Sequence, residues 1–288
     1  MLEIAQSVTQ QPNPTLQPIT IFFLMQPPCN CIDRSIQPYQ KGEIGITIMT
    51  PWFDPKFNTE ASRNASSRAL DFLIGWFMEP VIFGDYPQSM RSIVGSRLPK
   101  FSEEQKKQLK GSVDFLGLNY YTSLYAESAP PSNDPNKSYS KDSQATITGY
   151  KNGIPIGTPT VLSWLFIYPK GFRMLLLHIK KKYNNPIIYI TENGVADANN
   201  NSLPIKEALK DNMRIKYLQD HLSYLLKSIK EGVNVKGYFL WTFWDDFEWD
   251  SGFTVRFGIT YIDYKNNLKR HLKYSAYWLK AFLNPTKE

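Results

Sequence analysis

The chain has 288 residues, 42% of them hydrophobic and 14% aromatic, with a formal net charge of +7. That content supports a sizeable core and excludes global disorder. The basic residues are spread along helical patterns, and the one tight cluster, Lys180-Lys181-Lys182, closes a helix where cations complement the dipole. The charge therefore reads as solvated surface, with no nucleic-acid partner.

Residues 1 to 35 read as a divergent, disordered leader. Gln, Pro, Asn and Thr dominate Gln6 to Pro18, and the apolar run Ile19 to Met25 is too short to span a membrane. Glu3 is the only early charge, so the run also lacks the basic start of a signal peptide. Cys29 and Cys31 are too few for a disulfide framework or a metal site. His178, His221 and His271 fall in separate helical patterns, and a structural or surface role outweighs metal binding for each.

The β-rich run Lys41 to Met49 is the first predicted strand. Helical spacing of Ala65, Ala69, Phe72, Leu73 and Trp76 predicts a helix over Glu60 to Phe77, and a second helical piece covers Pro87 to Val94. Ser102 with Gln105 forms a capping-box signature for a helix ending at Lys110. Val113 to Tyr121 predicts a second strand that stops in Asn119, Tyr120 and Tyr121. A long polar segment, Thr122 to Thr160, reads as a functional or disordered loop, with Trp164 just beyond it.

A helix over Lys170 to Tyr183 leads into Pro186 to Gly194, a short β-branched run that ends abruptly in Glu192, Asn193 and Gly194. A lone carboxylate at the mouth of an apolar strand is where strand-helix barrels put their chemistry, although the same four residues also suit a plain polar turn. A long helix is predicted over Lys206 to Glu231, with Ile215, Leu218, Leu222, Leu225, Leu226 and Ile229 on its inner face. Val235 to Trp241 is the last strand, and a final helix carries Tyr274, Tyr277, Trp278 and Phe282 toward the core. Strands alternating with helices indicate a parallel α/β arrangement.

The segment Trp241 to Phe257 gathers aromatic rings around Asp245, Asp246, Glu248 and Asp250. Rings that cover C–H faces and carboxylates that accept from hydroxyls suit a sugar, and they also suit a structural aromatic cluster capped by solvated acids.

Several of these motifs resemble glycoside hydrolase family 1, the plant-type β-glucosidases. Thr191-Glu192-Asn193-Gly194 is similar to the nucleophile motif, and Phe247-Glu248-Trp249 with Ser251 to Gly258 is similar to the sugar-binding loop. Gly117 to Thr122 resembles the sixth-strand motif, Lys41 to Thr47 with Trp52-Phe53 the fifth strand, and Gly84-Asp85-Tyr86-Pro87 the stretch that follows. The resemblance runs from about Ile36 to the C-terminus. It implies a TIM (β/α)₈ barrel family, here an N-terminally truncated partial barrel of about strands five to eight, over residues 36–288.

The same resemblance implies roles. Glu192 is the nucleophile of a retaining hydrolase of O-glycosyl compounds; Tyr121 holds its carboxylate and Asn119 shapes the same pocket. Trp241, Glu248 and Trp249 hold the sugar, Phe257 lines the pocket, and Trp164 forms a wall of the aglycone site. The implied substrate is a β-D-glucoside, with no cofactor, metal or membrane partner. The family's acid/base motif, Asn-Glu-Pro, is absent from the sequence, and its nearest look-alike, Met78-Glu79-Pro80, sits in a helix exit. The alternative is a catalytically inactive fragment that acts at most as a sugar-binding or interaction protein, self-associating through open barrel edges. Family members are usually secreted, vacuolar or plastid proteins; this chain shows no signal peptide, and its location is left open. Sequons at Asn64, Asn136 and Asn200 permit glycosylation only in a secreted setting.

Overall fold

The structure is a computed structural model that describes residues 42–131 and 138–284. The leader expected over residues 1–35, with Cys29 and Cys31, lies outside them. The organising element is a parallel four-stranded sheet: β1 (Gly45–Met49), β2 (Phe115–Asn119), β3 (Ile187–Glu192) and β4 (Val235–Tyr238). Spatial order equals chain order, with no reversal point. A doubly wound sheet would reverse after its first strands; a barrel-type sheet does not.

Each strand follows its alternation. Ile46 and Ile48, Leu116 and Leu118, Ile188 and Ile190 face the helices and form the core with Phe172, Leu175, Leu176 and Ile179. The opposite face begins with Gly45, Thr47 and Met49 on β1. A side chain at Gly117 would meet the Thr47 hydroxyl at 2.3 Å and the Thr191 methyl at 3.1 Å, so these two threonines close over the middle of the sheet and exclude anything larger there.

The helices are α1 (Glu60–Leu70), α2 (Trp76–Phe83), α3 (Gln88–Val94), α4 (Glu103–Leu109), α5 (Pro169–Lys182), α6 (Asn212–Lys230) and α7 (Tyr274–Leu283). Thr59 caps α1 by accepting from the Ser62 N–H at 3.2 Å. A π-helical turn, Asp71–Gly75, carries α1 into α2, so the helix runs past Phe77 and stops at Gly84, whose φ of +89° suits glycine. The capping box of α4 is present: Ser102 Oγ accepts from the Gln105 N–H at 3.2 Å, and Gln105 Oε1 accepts from the Ser102 N–H at 2.8 Å.

Three expectations need correction. The segment Thr122 to Thr160 carries paired strands: Ser123–Ser128 runs parallel to Trp52–Pro55 and antiparallel to Ala145–Thr148, and Tyr150–Lys151 forms a hairpin with Ile154–Pro155. The helix predicted over Lys206 to Glu231 breaks into Ile205–Ala208 and α6. The break falls at Asp211, whose buried carboxylate takes the Ser275 N–H and hydroxyl and pairs with Arg214 at 2.5 Å. The inner face of α6 is then Arg214, Tyr217, Leu218, His221, Leu225 and Ser228, while Leu226 and Ile229 are exposed. Of the four aromatic residues expected to face the core from α7, Tyr274, Tyr277 and Phe282 are exposed and Trp278 packs partly inward.

Candidate active site

The polar ends of β2 and β3 meet. Across the sheet Glu192 pairs with Asn119 after a register irregularity at Ile190, and the Tyr120 N–H donates to the Glu192 carbonyl at 3.0 Å. This alignment carries the chain so that the Tyr121 hydroxyl reaches Glu192 Oε2 at 2.5 Å. Asn119 Oδ1 accepts from the Thr191 hydroxyl at 2.5 Å, which holds the Asn119 side chain at the same strand mouth, where it favours the ionised Glu192 carboxylate.

Burial pushes the Glu192 carboxyl above its ordinary range, while Tyr121 and Asn119 favour the ionised form and pull it back. Burial, reinforced by the Glu192 charge, holds the Tyr121 phenol well above its usual range. Tyr121 is therefore the donor at neutral pH. The arrangement presents a half-buried carboxylate whose orientation is fixed by a phenol, the requirement for attack along one direction.

Behind Glu192 lies a polar knot that the sequence reading did not single out. Asn193 is fully buried; its amide donates to the Tyr120 carbonyl at 2.7 Å and the Tyr217 hydroxyl at 2.8 Å, and its Oδ1 accepts from the Tyr238 hydroxyl at 2.8 Å. The only sequence signal was an amide directly after the nucleophile candidate. Gly194 is forced: a Cβ there would stand 1.8 Å from the Trp241 carbonyl oxygen. The Trp241 N–H donates to the Asn193 carbonyl at 2.9 Å, so the exits of β3 and β4 are stitched together at the site.

Trp241 begins the second cluster. Its indole N–H donates to Glu248 Oε1 at 3.2 Å. Glu248 is 7% exposed and its carboxyl is pushed up to about 7, first by burial and then by the Asp246 carboxyl beside it. The Glu192 charge acts on it in the same direction, which places the two clusters in electrostatic reach. Phe257 is buried and meets the Tyr121 ring edge-on at 6.0 Å; Trp164 meets the same ring edge-on at 6.0 Å from an exposed rim. Trp249 is exposed at the end of the loop.

Asp245 does not face a ligand. Its Oδ1 accepts from the Gly258 N–H and the Lys273 ammonium, both at 3.0 Å, and its Oδ2 from Arg256 at 2.5 Å and the Ile262 N–H at 3.2 Å. All its acceptor capacity is taken by the loop's own scaffold. Asp250 is exposed. Glu79 is on α2, paired with Lys182 at 2.7 Å, among the helices and away from the strand mouths. His221 is buried and His178 partly buried; desolvation holds both down to about 4, so both stay neutral packing residues. Among the described residues no group of three or more His, Cys, Asp or Glu could hold a metal ion, and no helix is long and apolar enough to cross a membrane.

The sequence profile described as glycosyl hydrolase family 1 matches residues 23–288. The chain belongs to glycosyl hydrolase family 1. Within the family it is 55% identical over 247 residues to beta-glucosidase 12 of Oryza sativa subsp. indica, covering 86% of this chain and 48% of that protein. It is 53% identical over 243 residues to raucaffricine-O-beta-D-glucosidase of Rauvolfia serpentina, covering 83% and 45%. Among solved structures, a mutant rice β-glucosidase in a covalent complex with Glc superposes with a TM-score of 0.89 at 40% identity, over 92% of this chain and 56% of that one. A family 1 β-glucosidase from the fungus Humicola insolens in complex with glucose gives 0.87 at 36% identity, over 93% and 56%. The chain thus spans about half the length of the curated relatives it matches.

Proposed function

We propose that this chain carries the nucleophile half of a retaining β-glucosidase, with Glu192 as the nucleophile. The observation that carries the reading is the Tyr121 to Glu192 hydrogen bond at the mouth of β3, in a chain of this family. A Glu192 oxygen bonds to the anomeric carbon as the bond to the aglycone oxygen breaks, and the aglycone leaves with the electron pair. Asn119 and Tyr121 orient the attack; Trp241, Glu248, Trp249 and Phe257 hold the sugar, and Trp164 meets the aglycone. The same reading makes β1 to β4 the fifth to eighth strands of an eight-stranded barrel, supported by their parallel, unreversed order.

The sequence contains no Asn-Glu-Pro, and Glu79 is committed to Lys182. The chemistry proposed for this chain is therefore glycosylation by substrates whose leaving group needs no proton. General acid-base help is worth about 10²–10⁴-fold in such reactions, so turnover of ordinary glucosides is correspondingly slow. A second reading, a silent piece that self-associates through its two sheet edges, is favoured by exposed Met49 on β1 and exposed Phe239 just past β4.

The test is a fluorinated mechanism-based glucoside, with the label mapped by mass spectrometry, beside an activated aryl β-glucoside. The expected result is a label on Glu192 and a burst of phenol that azide converts to turnover. A label elsewhere refutes the nucleophile assignment. No label and no burst, from protein that sizes as a self-associated species, establishes the second reading.

A further inference from the structure

The ladder between β2 and β3 ends at Asn119 and Glu192, and Tyr120 and Tyr121 lie beyond it. Their backbone carbonyls are taken by side chains. Asn193 Nδ2 donates to the Tyr120 carbonyl at 2.7 Å, and the Tyr217 hydroxyl donates to the Tyr121 carbonyl at 3.4 Å. The same Tyr217 oxygen accepts from Asn193 Nδ2 at 2.8 Å. One buried hydroxyl thus meets both the residue that follows Glu192 and the residue whose phenol holds Glu192.

The knot leaves little freedom to turn. The Tyr120 carbonyl can only accept, so the nitrogen of the Asn193 amide must face it, and the Asn193 oxygen is left to accept from the Tyr238 hydroxyl at 2.8 Å. Tyr217 is fully buried on α6, and its ring stacks on His221 at 3.8 Å. Tyr120 is anchored from α5: its ring stacks on Phe172 at 4.8 Å, and its hydroxyl donates to the Tyr168 carbonyl at 2.9 Å. With Tyr120 held by its ring and both carbonyls held by side-chain donors, the backbone that carries the Tyr121 phenol to Glu192 is fixed at three points.

We infer that Tyr217 on α6, acting with Asn193, is a positioning residue for the Tyr121–Glu192 pair: its hydroxyl fixes the exit of β2 against the exit of β3, and so fixes the direction from which the Tyr121 phenol meets the carboxylate. The effect on reaction rate rests on the proposed function; the link between the two exits does not. A carboxylate that must attack along one line gains from donors already in place, because they need no reorganisation as the bond forms. A misplacement of about 1 Å, caused by a residue away from the reacting atoms, can cost about 10²-fold. Tyr217→Phe removes one of the three anchors and keeps the ring, so a loss of about tenfold is expected.

Two measurements test this. Labelling by the fluorinated glucoside yields a rate constant at saturation and a KI. Tyr217→Phe should lower the rate constant about tenfold and leave KI within about twofold. In a Tyr121→Phe background the same substitution should change the rate by less than about twofold, because the bond through which it acts is gone. Ser228→Ala removes another hydroxyl of α6, one that donates to the Tyr224 carbonyl at 3.0 Å, and should leave the rate unchanged. An unchanged rate in Tyr217→Phe, an equal fall in both backgrounds, or a fall matched by Ser228→Ala overturns the proposal. The second measurement needs no reaction. In protein carrying ¹³Cζ-labelled tyrosine, the Tyr121 signal, assigned with Tyr121→Phe, should follow the titration of Glu192 and lose that response in Tyr217→Phe. A response absent from the unmodified chain, or one that survives in Tyr217→Phe, overturns the link whatever the labelling shows. A response lost in the variant, with no label on Glu192 in the unmodified chain, leaves the link standing and refutes the nucleophile.

Discussion

Replacing Asp245 by Asn isolates the scaffold under the sugar loop. The side chain is buried, and four donors converge on it from Arg256, Ile262, Lys273 and Gly258. An amide keeps one acceptor oxygen but turns an N–H₂ group toward two of those donors. It also strips the negative charge from between two cations that are themselves buried. Removing one partner of a buried pair costs about 3–5 kcal/mol, because the remaining charge stays desolvated. Lys273 softens the loss: burial and the Arg214 charge already hold its ammonium down to about 8 against the attraction of Asp245, so it can shed its proton when that attraction goes. The expected destabilisation is therefore nearer 3 kcal/mol, a fall in Tm of roughly 6–12 °C. Urea and thermal unfolding followed by tryptophan fluorescence at pH 7 measure it. The same depressed lysine gives a pH signature. Between about 8 and its ordinary 10.5 the unfolded chain binds more protons than the folded one, so stability rises as pH climbs from about 8 to about 9.5. Above that, buried Tyr120 and Tyr238, whose phenols are raised by burial, reverse the slope. Lys273→Met should abolish the rise. An Asp245→Asn variant within about 1 kcal/mol of the unmodified chain, or a rise that survives in Lys273→Met, would refute the reasoning.

Three further outcomes are expected. Tyr121→Phe removes a charge-assisted bond worth about 1.5–3 kcal/mol and lets burial raise the Glu192 carboxyl further, so the acid limb of its labelling profile moves to higher pH; an unmoved limb contradicts the assigned contact. Gly194→Ala drives a methyl into the Trp241 carbonyl, and the cost in urea unfolding should reach at least about 3 kcal/mol; a loss under about 1 kcal/mol would mean the two strand exits are not stitched as described. Glu79→Gln leaves the label on Glu192 and its rate unchanged while lowering stability by about 1 kcal/mol, since it weakens only the bridge to Lys182; a drop in labelling of tenfold or more would make Glu79 part of the chemistry.

Much of the frame was legible in the residues because its signals are local. Each of the four strands is a short, largely apolar run, and for β2 and β3 the pattern also states where it stops, at Asn119 and Glu192. The capping box at Ser102 and Gln105 needs only four consecutive residues. The hairpin at Asn152-Gly153 was equally local and was passed over inside a polar segment, although Asn-Gly with both residues at positive φ is the expected turn for a two-residue hairpin. Glu192 and Tyr121 stand 71 positions apart, and their meeting came from resemblance, not from spacing.

What the tertiary structure alone decided is which partner each polar group takes. From the sequence, Asp245, Asp246 and Glu248 are three equivalent acids on one loop. In the fold the first is saturated by two cations and two backbone N–H groups, Glu248 is buried and accepts from the Trp241 indole, and Asp246 is left with a buried Oδ1 that finds no hydrogen-bond partner among the described residues. The inner face of α6 likewise turns to take in Arg214, Tyr217 and His221 beside Leu218 and Leu225 and leaves Leu226 and Ile229 exposed, because buried partners were waiting for Arg214 at Asp211 and for Tyr217 at Asn193. Hydrophobic periodicity records how much of a side chain prefers to leave water. It carries nothing about the distant donor that makes burying a charge affordable, and that donor is what the folded chain supplies.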